Sequence, residues 1–460
     1  MVHHGGPTDN GRSDPPEGTT VAASRDEVLR TVDDRRIRFI RLLFTDIVGF
    51  PKCVTITRGE LEDALDNGKG FDGSSIEGFT RIHESDMIAK PDPTTFKVLP
   101  WTDGGDEALM FCDVLEPDGR PYPGDPRFVL KRVLEKVAQR GWTLYVGPEL
   151  EYFYFRSPAC PEVLDRAGYF DLTPPDLGEA IRKKTIVALD SLGIQVEYSH
   201  HEGAPSQHEI DLKYADALTM ADHTMLYKLV VKEVARKEGA YATFMPKPIY
   251  GQNGSGMHAH QSLFENGENL FHDAADARHL SALARSYIEG LLRHAREITL
   301  VTNQWVNSYK RLVPGYEAPV YVCWAQMNRS TLVRVPRYRP GHDLSTRVEY
   351  RSPDPACNPY LAFAVMLAAG LRGIDQKLEL REPNEADIYE MDGDERARLG
   401  ISMLPGSLGE AVIEAENGSL LRETLGDETF EKLLRNKRAV WDGYRAILTA
   451  HELEHDLPVL

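Results

Sequence analysis

Val146-Gly147-Pro148-Glu149-Leu150-Glu151-Tyr152-Phe153-Tyr154-Phe155 reads as the body of a long β-strand, Thr143 to Phe155, and two of its residues do not suit the rest. The Leu, Tyr and Phe residues belong to a strand built to be buried, yet Glu149 and Glu151 stand two apart and share one face. Carboxylates in such a strand need compensating charge. Two further stretches repeat the alternation with complementary groups: His258-Ala259-His260 and Arg347-Val348-Glu349-Tyr350-Arg351. Between them in sequence lies His200-His201-Glu202-Gly203-Ala204-Pro205-Ser206-Gln207-His208-Glu209. Alternation lets carboxylates, imidazole and guanidinium converge on one cavity without crowding any single element. Taken alone, Glu149 and Glu151 read equally well as solvated glutamates on an exposed edge, and His258 as an ordinary structural histidine. Set together, Glu149, Glu151, Glu202, Glu209, His258 and Glu349 form an oxygen-rich donor set with one imidazole, which suits magnesium or manganese better than zinc.

Just before His258 the chain runs Gly251-Gln252-Asn253-Gly254-Ser255-Gly256-Met257, small residues that allow a ligand to approach the backbone. It lacks the Lys-Ser/Thr ending of a Walker A loop. Downstream, Arg311, Arg329, Arg334, Arg347 and Arg351 recur in strand-like apolar settings such as Leu332-Val333-Arg334-Val335-Pro336. Each alone reads as a surface salt bridge; as a set they suit bidentate carboxylate and phosphate contacts and charge neutralisation in phosphoryl transfer. One motif points elsewhere. His451-Glu452-Leu453-Glu454-His455 matches HExxH, the helical zinc-hydrolase pattern, but it ends next to a proline with no room downstream for a third ligand.

The net charge of −18 argues against a nucleic-acid or anionic-membrane binder, leaving a small ligand. Five cysteines, scattered and without a CxxC pair, indicate neither a disulfide framework nor a zinc ribbon, and point to a reducing compartment. No apolar run is long enough for a membrane span, and residues 1–23, rich in Gly, Pro, Asp and Ser, read as a disordered cytoplasmic tail without a signal peptide's apolar core. Residues 24–120 read as a small strand-rich domain. It opens with a helix over Ser24 to Val32 capped by Ser24, followed by strands Ile37 to Thr45 and Lys52 to Thr57 and a short helix at Glu60 to Leu65. A polar loop over Gly70 to Ser75 and strands near Lys97 to Leu99 and Ala108 to Val114 complete it. The turn-rich Glu116 to Pro126 marks the boundary with a larger domain, 121–460, in which strands alternate with helices at Phe128 to Arg140, Asp176 to Leu192, Ala217 to Glu238 and Tyr360 to Asp375.

Phe71-Asp72-Gly73-Ser74-Ser75-Ile76-Glu77-Gly78-Phe79, Gly147 to Glu151, His200-His201-Glu202, Asn253 to His258, Asn307 to Pro319, Asn328-Arg329-Ser330 and Glu349 to Pro355 together resemble bacterial and archaeal type I glutamine synthetase, in the family's order and from about Arg36 onward. The resemblance implies an α+β fold: an N-terminal β-grasp domain, then an α/β catalytic domain whose antiparallel sheet forms the active-site funnel. It also implies a homododecamer of two hexameric rings with sites shared between subunits, ATP as substrate, and two or more Mg2+ or Mn2+ ions per site. One cation would be held by Glu151, Glu202 and Glu209, the other by Glu149, His258 and Glu349. By the same carry-over, Arg311, Arg351, Asn253 and Gly254 bind glutamate, and His260, Ser262, Arg329, Arg334 and Arg347 serve ATP. Asp72, Ser75, Tyr169 and Glu202 form the ammonium pocket, with Asp72 as proton acceptor. Glu317 sits on a flap over the γ-glutamyl phosphate intermediate, and Arg329 stabilises the transferring phosphoryl group. Arg81 matches the arginine of glutamine feedback inhibition in the alpha subdivision. Tyr389 falls near the tyrosine adenylylated in the beta subdivision, but the short Glu202 to Glu209 spacing is alpha-like, so no adenylylation is expected.

The reaction so implied is ATP-dependent ligation of ammonia to the γ-carboxylate of glutamate. A glutamate–amine ligase of the same fold, using a polyamine or another amine, is the nearest rival. From other classes come a zinc hydrolase built on the terminal HExxH, and a silent homologue retained as a nitrogen sensor.

Overall fold

The computed structural model describes residues 23–74, 76, 86–102, 104–328, 330–386 and 388–460. Apart from Ala23, the expected tail lies outside the described residues, as do Ser75, Arg81 and Arg329 of the expected site.

Helix α1 (Arg25–Asp34) starts where Ser24 caps it: Ser24 N–H donates to Glu27 Oε2 at 2.7 Å and Glu27 N–H to Ser24 Oγ at 3.3 Å, a reciprocal capping box. Its Val28 and Val32, one turn apart, are fully buried against a six-stranded sheet. That sheet comprises β1 (Phe39–Thr45), β2 (Pro51–Thr57), β3 (Lys69–Asp72), β4 (Asp86–Pro91), β5 (Lys97–Val98) and β6 (Glu107–Leu115), with α2 (Leu61–Asn67) between β2 and β3. The order is β2-β1-β6-β4-β3 with β5 also on β6; β1 and β6 run parallel and the other pairs antiparallel. An inner strand buried on both faces explains the apolar residues on both sides of β1, where the one charged residue, Arg41, is paired with Glu107 at 2.5 Å. The expected polar loop over Gly70 to Ser75 needs correction at its start, because Lys69–Asp72 is a strand paired from Lys69↔Ala89 to Asp72↔Asp86. Its two-residue alternation is too short, and glycine too frequent, to signal a strand without the partner that satisfies its backbone.

A turn closed by Gly119 N–H to Glu116 O leads to α3 (Pro126–Ala138), capped by Asp125. The main sheet then assembles from β7 (Trp142–Phe155), β8 (Val196–His201), β9 (Gln207–Leu212), β10 (Ala215–Asp216), β11 (Tyr241–Thr243), β12 (Met257–Glu265), β13 (Glu268–Asn269), β14 (Tyr321–Ala325), β15 (Thr331–Arg334) and β16 (Val348–Tyr350). Its path is β14-β15-β16-β12-β7-β9-β8, with β10 and β11 on β7 and β13 on β12; all pairs are antiparallel except β14 with β15. Helices α4 (Glu179–Ser191), α5 (Ala217–Lys237), α6 (Ala282–Thr302), α7 (Ser308–Arg311) and α8 (Pro359–Asp375) follow the strands that precede them in the chain. α3 and α5 pack on β7 while α6 and α8 pack on each other, and α9 (Gly393–Arg398) through α10 (Leu408–Asn417), α11 (Leu420–Leu425), α12 (Asp427–Tyr444) and α13 (Ala450–His455) complete the chain. The protein is thus α+β, a small β-grasp domain followed by a larger domain built on the ten-stranded sheet. No described helix is long and apolar enough to cross a membrane.

The two sheets are tied by Arg127. Its buried guanidinium donates to Asp92 at 2.8 Å and Asp113 at 2.6 Å on the small domain, and to Asp222 on α5 at 3.0 and 3.1 Å, where Tyr360 of α8 adds a 2.6 Å bond. A buried cation with several carboxylates is costly to break, so the junction is stiff.

Candidate active site

Register, more than proximity in sequence, builds the site. Across the sheet, Arg334 pairs with Glu349, Glu349 with His260, His258 with Glu149, Glu149 with Asp211, Glu151 with Glu209, and Glu209 with His200. Because paired residues face the same side, one face of six strands carries a continuous row of carboxylate, imidazole and guanidinium. The other face of β7, with Leu150, Tyr152 and Tyr154, is buried in the main core, where the Tyr227 hydroxyl of α5 donates to Leu150 O at 3.4 Å. Burial of that face fixes the register, since a one-residue slip would send both glutamates into the core.

The row opens on a cavity of about 1010 Å³. Glu149, Glu151, Glu202, Glu209, His258 and Glu349 line it, with Tyr169, Asn253, Gly254, Arg311, Glu317, Arg334 and Arg351 around them. His260 Nε2 lies 2.8 Å from Glu149 Oε1, and Arg347 Nε donates to His260 Nδ1 at 3.1 Å, so both adjoin the cavity through Glu149. Ser262 lies two residues further along β12, on the same face. Asp72, at the end of β3, is not brought to the cavity of its own chain; its carboxylate accepts the Ser74 N–H at 2.8 Å.

Two donor groups emerge, Glu149 with His260 and Glu349, and His200 with Glu202 and Glu209, their ligand atoms within 4.8 Å of one another in each group. His258 sits between them: its Nδ1 is 3.3 Å from Glu149 and 3.9 Å from Glu349, its Nε2 3.9 Å from Glu151. His200 and Asp211 were missed in the sequence, although each stands two residues from a chosen glutamate, Glu202 and Glu209, on the same alternation.

Electrostatics separates the carboxylates. Burial pushes Glu349 up, but Arg351, His260 and His258 outweigh it and hold the carboxyl at about 2. Arg334 donates to Glu349 Oε2 at 2.8 Å, and Arg351 bonds its other oxygen. Glu149 is likewise held low: burial raises it, and His260 and His258 more than reverse that. On the other side the balance inverts. Burial and the neighbouring Asp211 and Glu151 push Glu209 well above its usual range, burial and Glu151 raise Glu202, and burial with Glu149 lifts Asp211 to about 7. Glu209 Oε1 and Asp211 Oδ1 are buried without a hydrogen-bond partner. This is an excess of carboxylate that the chain's own cations do not neutralise, and hard divalent cations fit it.

Arg311 is buried under the glycine loop, donating to Ser352 O at 2.6 Å and Arg351 O at 3.3 Å. A Cβ on Gly256 would stand 2.6 Å from Arg311 Nη2, and one on Gly254 2.2 Å from Pro246 O. The loop's small residues therefore admit the protein's own Arg311 and backbone; the ligand approach expected from them is confined to the rim formed by Asn253 and Gly254. Asn253 Nδ2 donates to Glu317 Oε2 at 3.0 Å across the cavity. Tyr169 comes from the irregular segment between β7 and α4, pinned by Asp165, whose carboxylate accepts from Leu177 N–H at 3.0 Å and Ser206 N–H at 3.2 Å and meets His201 Nε2 at 2.9 Å. Asp165, Asp176, His201 and His208 form a third cluster of ligand-type residues, but Arg182 already occupies it, 2.7 Å from Asp176 and 2.8 Å from His208 Nδ1. It holds the Tyr169 segment and leaves no place for a cation. Tyr389, at the cavity wall, donates its hydroxyl to Ala318 O at 3.1 Å.

The terminal HExxH falls on α13, in keeping with a chance match. Glu452 is the reciprocal cap of that helix, accepting from Thr449 N–H at 2.6 Å, and the His451 and His455 rings lie 4.2 Å apart on an exposed turn. Among the described residues no third ligand joins them.

Known proteins resemble this chain along most of its length. The family model described as glutamine synthetase, catalytic domain, matches residues 123–456, and that described as glutamine synthetase, beta-Grasp domain, matches 36–117. The glutamine synthetase of Mycolicibacterium smegmatis is 52% identical over 437 residues, 94% of this chain and 98% of that protein. That of Methanosarcina mazei is 48% identical over 442 residues, 95% and 98% of the two chains. A solved structure described as "GmaS/ADP complex-Conformation 1" superposes with a TM-score of 0.86 at 32% identity, covering 94% of this chain and 99% of that one.

Proposed function

The chain belongs to the glutamine synthetase family, and we propose from that premise how its residues divide the work of the family's reaction, the ATP-dependent ligation of ammonia to the γ-carboxylate of glutamate. The observation that carries the proposal is the carboxylate row facing Arg311, Arg334, Arg351 and Glu317 across one cavity.

Glu151, Glu202 and Glu209 would hold one Mg2+ or Mn2+ ion, and Glu149, His258 and Glu349 a second. Bound there, such ions would supply positive charge that screens the repulsion between phosphate and carboxylate. Arg311 and Arg351 orient glutamate with Asn253 and Gly254, placing its γ-carboxylate oxygen in line with the terminal phosphorus of ATP. That oxygen forms the new P–O bond as ADP leaves, giving γ-glutamyl phosphate. His260, Ser262, Arg334 and Arg347 receive ATP, and Arg329 neutralises charge on the transferring group. Ammonium enters against Tyr169, Ser75 and Glu202; Asp72 takes its proton, and ammonia attacks the acyl carbon as phosphate leaves. Glu317 covers the intermediate while it is exposed to hydrolysis.

Asp72 lies outside the cavity of its own chain, which supports a ring in which a neighbouring subunit supplies it, and by family a dodecamer of two hexamers. The short Glu202 to Glu209 spacing supports the type I alpha subdivision, with Arg81 as the feedback position. All five cysteines are unpaired, which supports a cytoplasmic site of action.

The test is phosphate release with ATP, magnesium and glutamate, comparing ammonium with putrescine, spermine and ethanolamine and identifying products by mass. Ammonium-dependent glutamine formation is expected. Turnover only with an organic amine would overturn the acceptor, and no turnover with any of them would overturn the ligase reading.

A further inference from the structure

The segment that carries Glu317 is held down at two points, and only one has a role so far. Beside the Asn253 bond to Glu317, Tyr316 presents its ring to Lys247, whose Nζ lies 3.8 Å from the ring centroid. Lys247 is itself fixed. Its N–H donates to Asn307 Oδ1 at 2.7 Å, its carbonyl accepts from Asn307 Nδ2 at 3.0 Å, and its ammonium also donates to the Gln252 carbonyl. The loop around it is closed by Ser255 N–H to Pro246 O at 2.8 Å, with no room for a side chain on Gly254. The opposing segment is built differently: Val313, Pro314 and Gly315 are exposed, and the backbone is left-handed at Gly315 (φ 91°) and again at Glu317 (φ 56°). A cation on a rigid floor therefore meets an aromatic ring at the tip of a loosely supported flap.

We propose that Lys247 and Tyr316 are a latch, a pair of positioning residues whose cation–π contact keeps the Glu317 segment closed long enough for ammonia, and not water, to consume the acyl phosphate. The proposal rests on the reading of Glu317 as the cover of that intermediate. Opening of the flap admits water, whose oxygen bonds to the acyl carbon as the carbon–oxygen bond to phosphate breaks. Glutamate is regenerated, phosphate and a proton are released, and one ATP is spent without glutamine. The signature is thus the ratio of phosphate released to glutamine formed. A merely structural role would lower both together.

The experiment measures both products from the full chain with ATP, magnesium, glutamate and saturating ammonium. Wild type is expected near one phosphate per glutamine. In Lys247→Met and in Tyr316→Leu the excess of phosphate over glutamine, the ratio minus one, should rise about fivefold, the order of shift in a closed-to-open equilibrium when one cation–π contact is lost. Lys247→Arg and Tyr316→Phe keep cation and ring and should hold that excess at the wild-type value. A wild-type excess in both disruptive variants overturns the latch; should Lys247→Met fail to fold, Tyr316→Leu decides alone. A wild type that releases phosphate without forming any amide would instead overturn the ligase reading on which the latch rests.

Discussion

Asp211 on β9 and Glu349 on β16 stand on the same face of the main sheet, with β7 and β12 between them, and occupy opposite electrostatic states. Glu349 stays ionised because two guanidiniums and two imidazoles surround it, whereas burial and Glu149 lift Asp211 to about 7. An acid whose folded-state pKa is raised lets the folded chain bind more protons than the unfolded chain between about pH 4 and 7, so without cations the fold loses stability as pH rises through that window. Cations favour the ionised forms and reverse the penalty. The rise in melting temperature on adding magnesium should therefore be larger at about pH 7.5 than at about pH 5.5, and Asp211→Asn should raise the cation-free melting temperature at the higher pH by about 2 °C. Thermal denaturation in chelator and in magnesium checks both, and an equal magnesium effect at the two pH values would contradict them. At this scale the sequence was legible wherever alternation on a strand supplied the argument, as for Glu149, Glu151, His258 and Glu349. Asp211 obeys the same alternation two residues beyond Glu209, but stands outside the His200 to Glu209 stretch in which the donor groups cluster.

Among elements, the glycine loop departs most from its first reading. Gly256 gives way to Arg311, a residue 55 positions later in the chain that no local pattern connects to it. Gly256→Ala should displace that guanidinium and raise the KM for glutamate by about tenfold, with the KM for ATP changed by less than about twofold. Steady-state kinetics with each substrate varied separately checks the split; equal effects on both would mean that the loop acts on the whole cavity. Elements with strong local signals were readable from sequence: the Ser24 cap of α1, the long strand β7, and the amphipathic α3 and α5. β3 and β4 were not: one is four residues with a glycine, the other is short and bounded by Asp86 and Pro91, and neither exists apart from their pairing. The HExxH match is set aside on its setting, and the structure agrees. Its glutamate serves a helix cap, a local use that a zinc-site pattern does not reveal.

For the whole molecule, the stiff junction at Arg127 sets where the small domain points, and Asp72 with it. If that residue completes a neighbour's cavity, two inactive chains should rescue each other. Co-assembly of Asp72→Asn with Arg351→Met in equal amounts should restore about a quarter of wild-type activity, because one site in four then combines an intact cavity with an intact neighbour. No recovery from verified mixed rings would place Asp72 elsewhere. The central claim is that the carboxylate row holds two divalent cations, and a manganese titration followed by electron paramagnetic resonance tests it most directly. Two or more ions per chain are predicted for the wild type, with one lost in Glu349→Gln and a different one lost in Glu209→Gln. A single ion per chain, or a stoichiometry that neither substitution changes, would contradict the account.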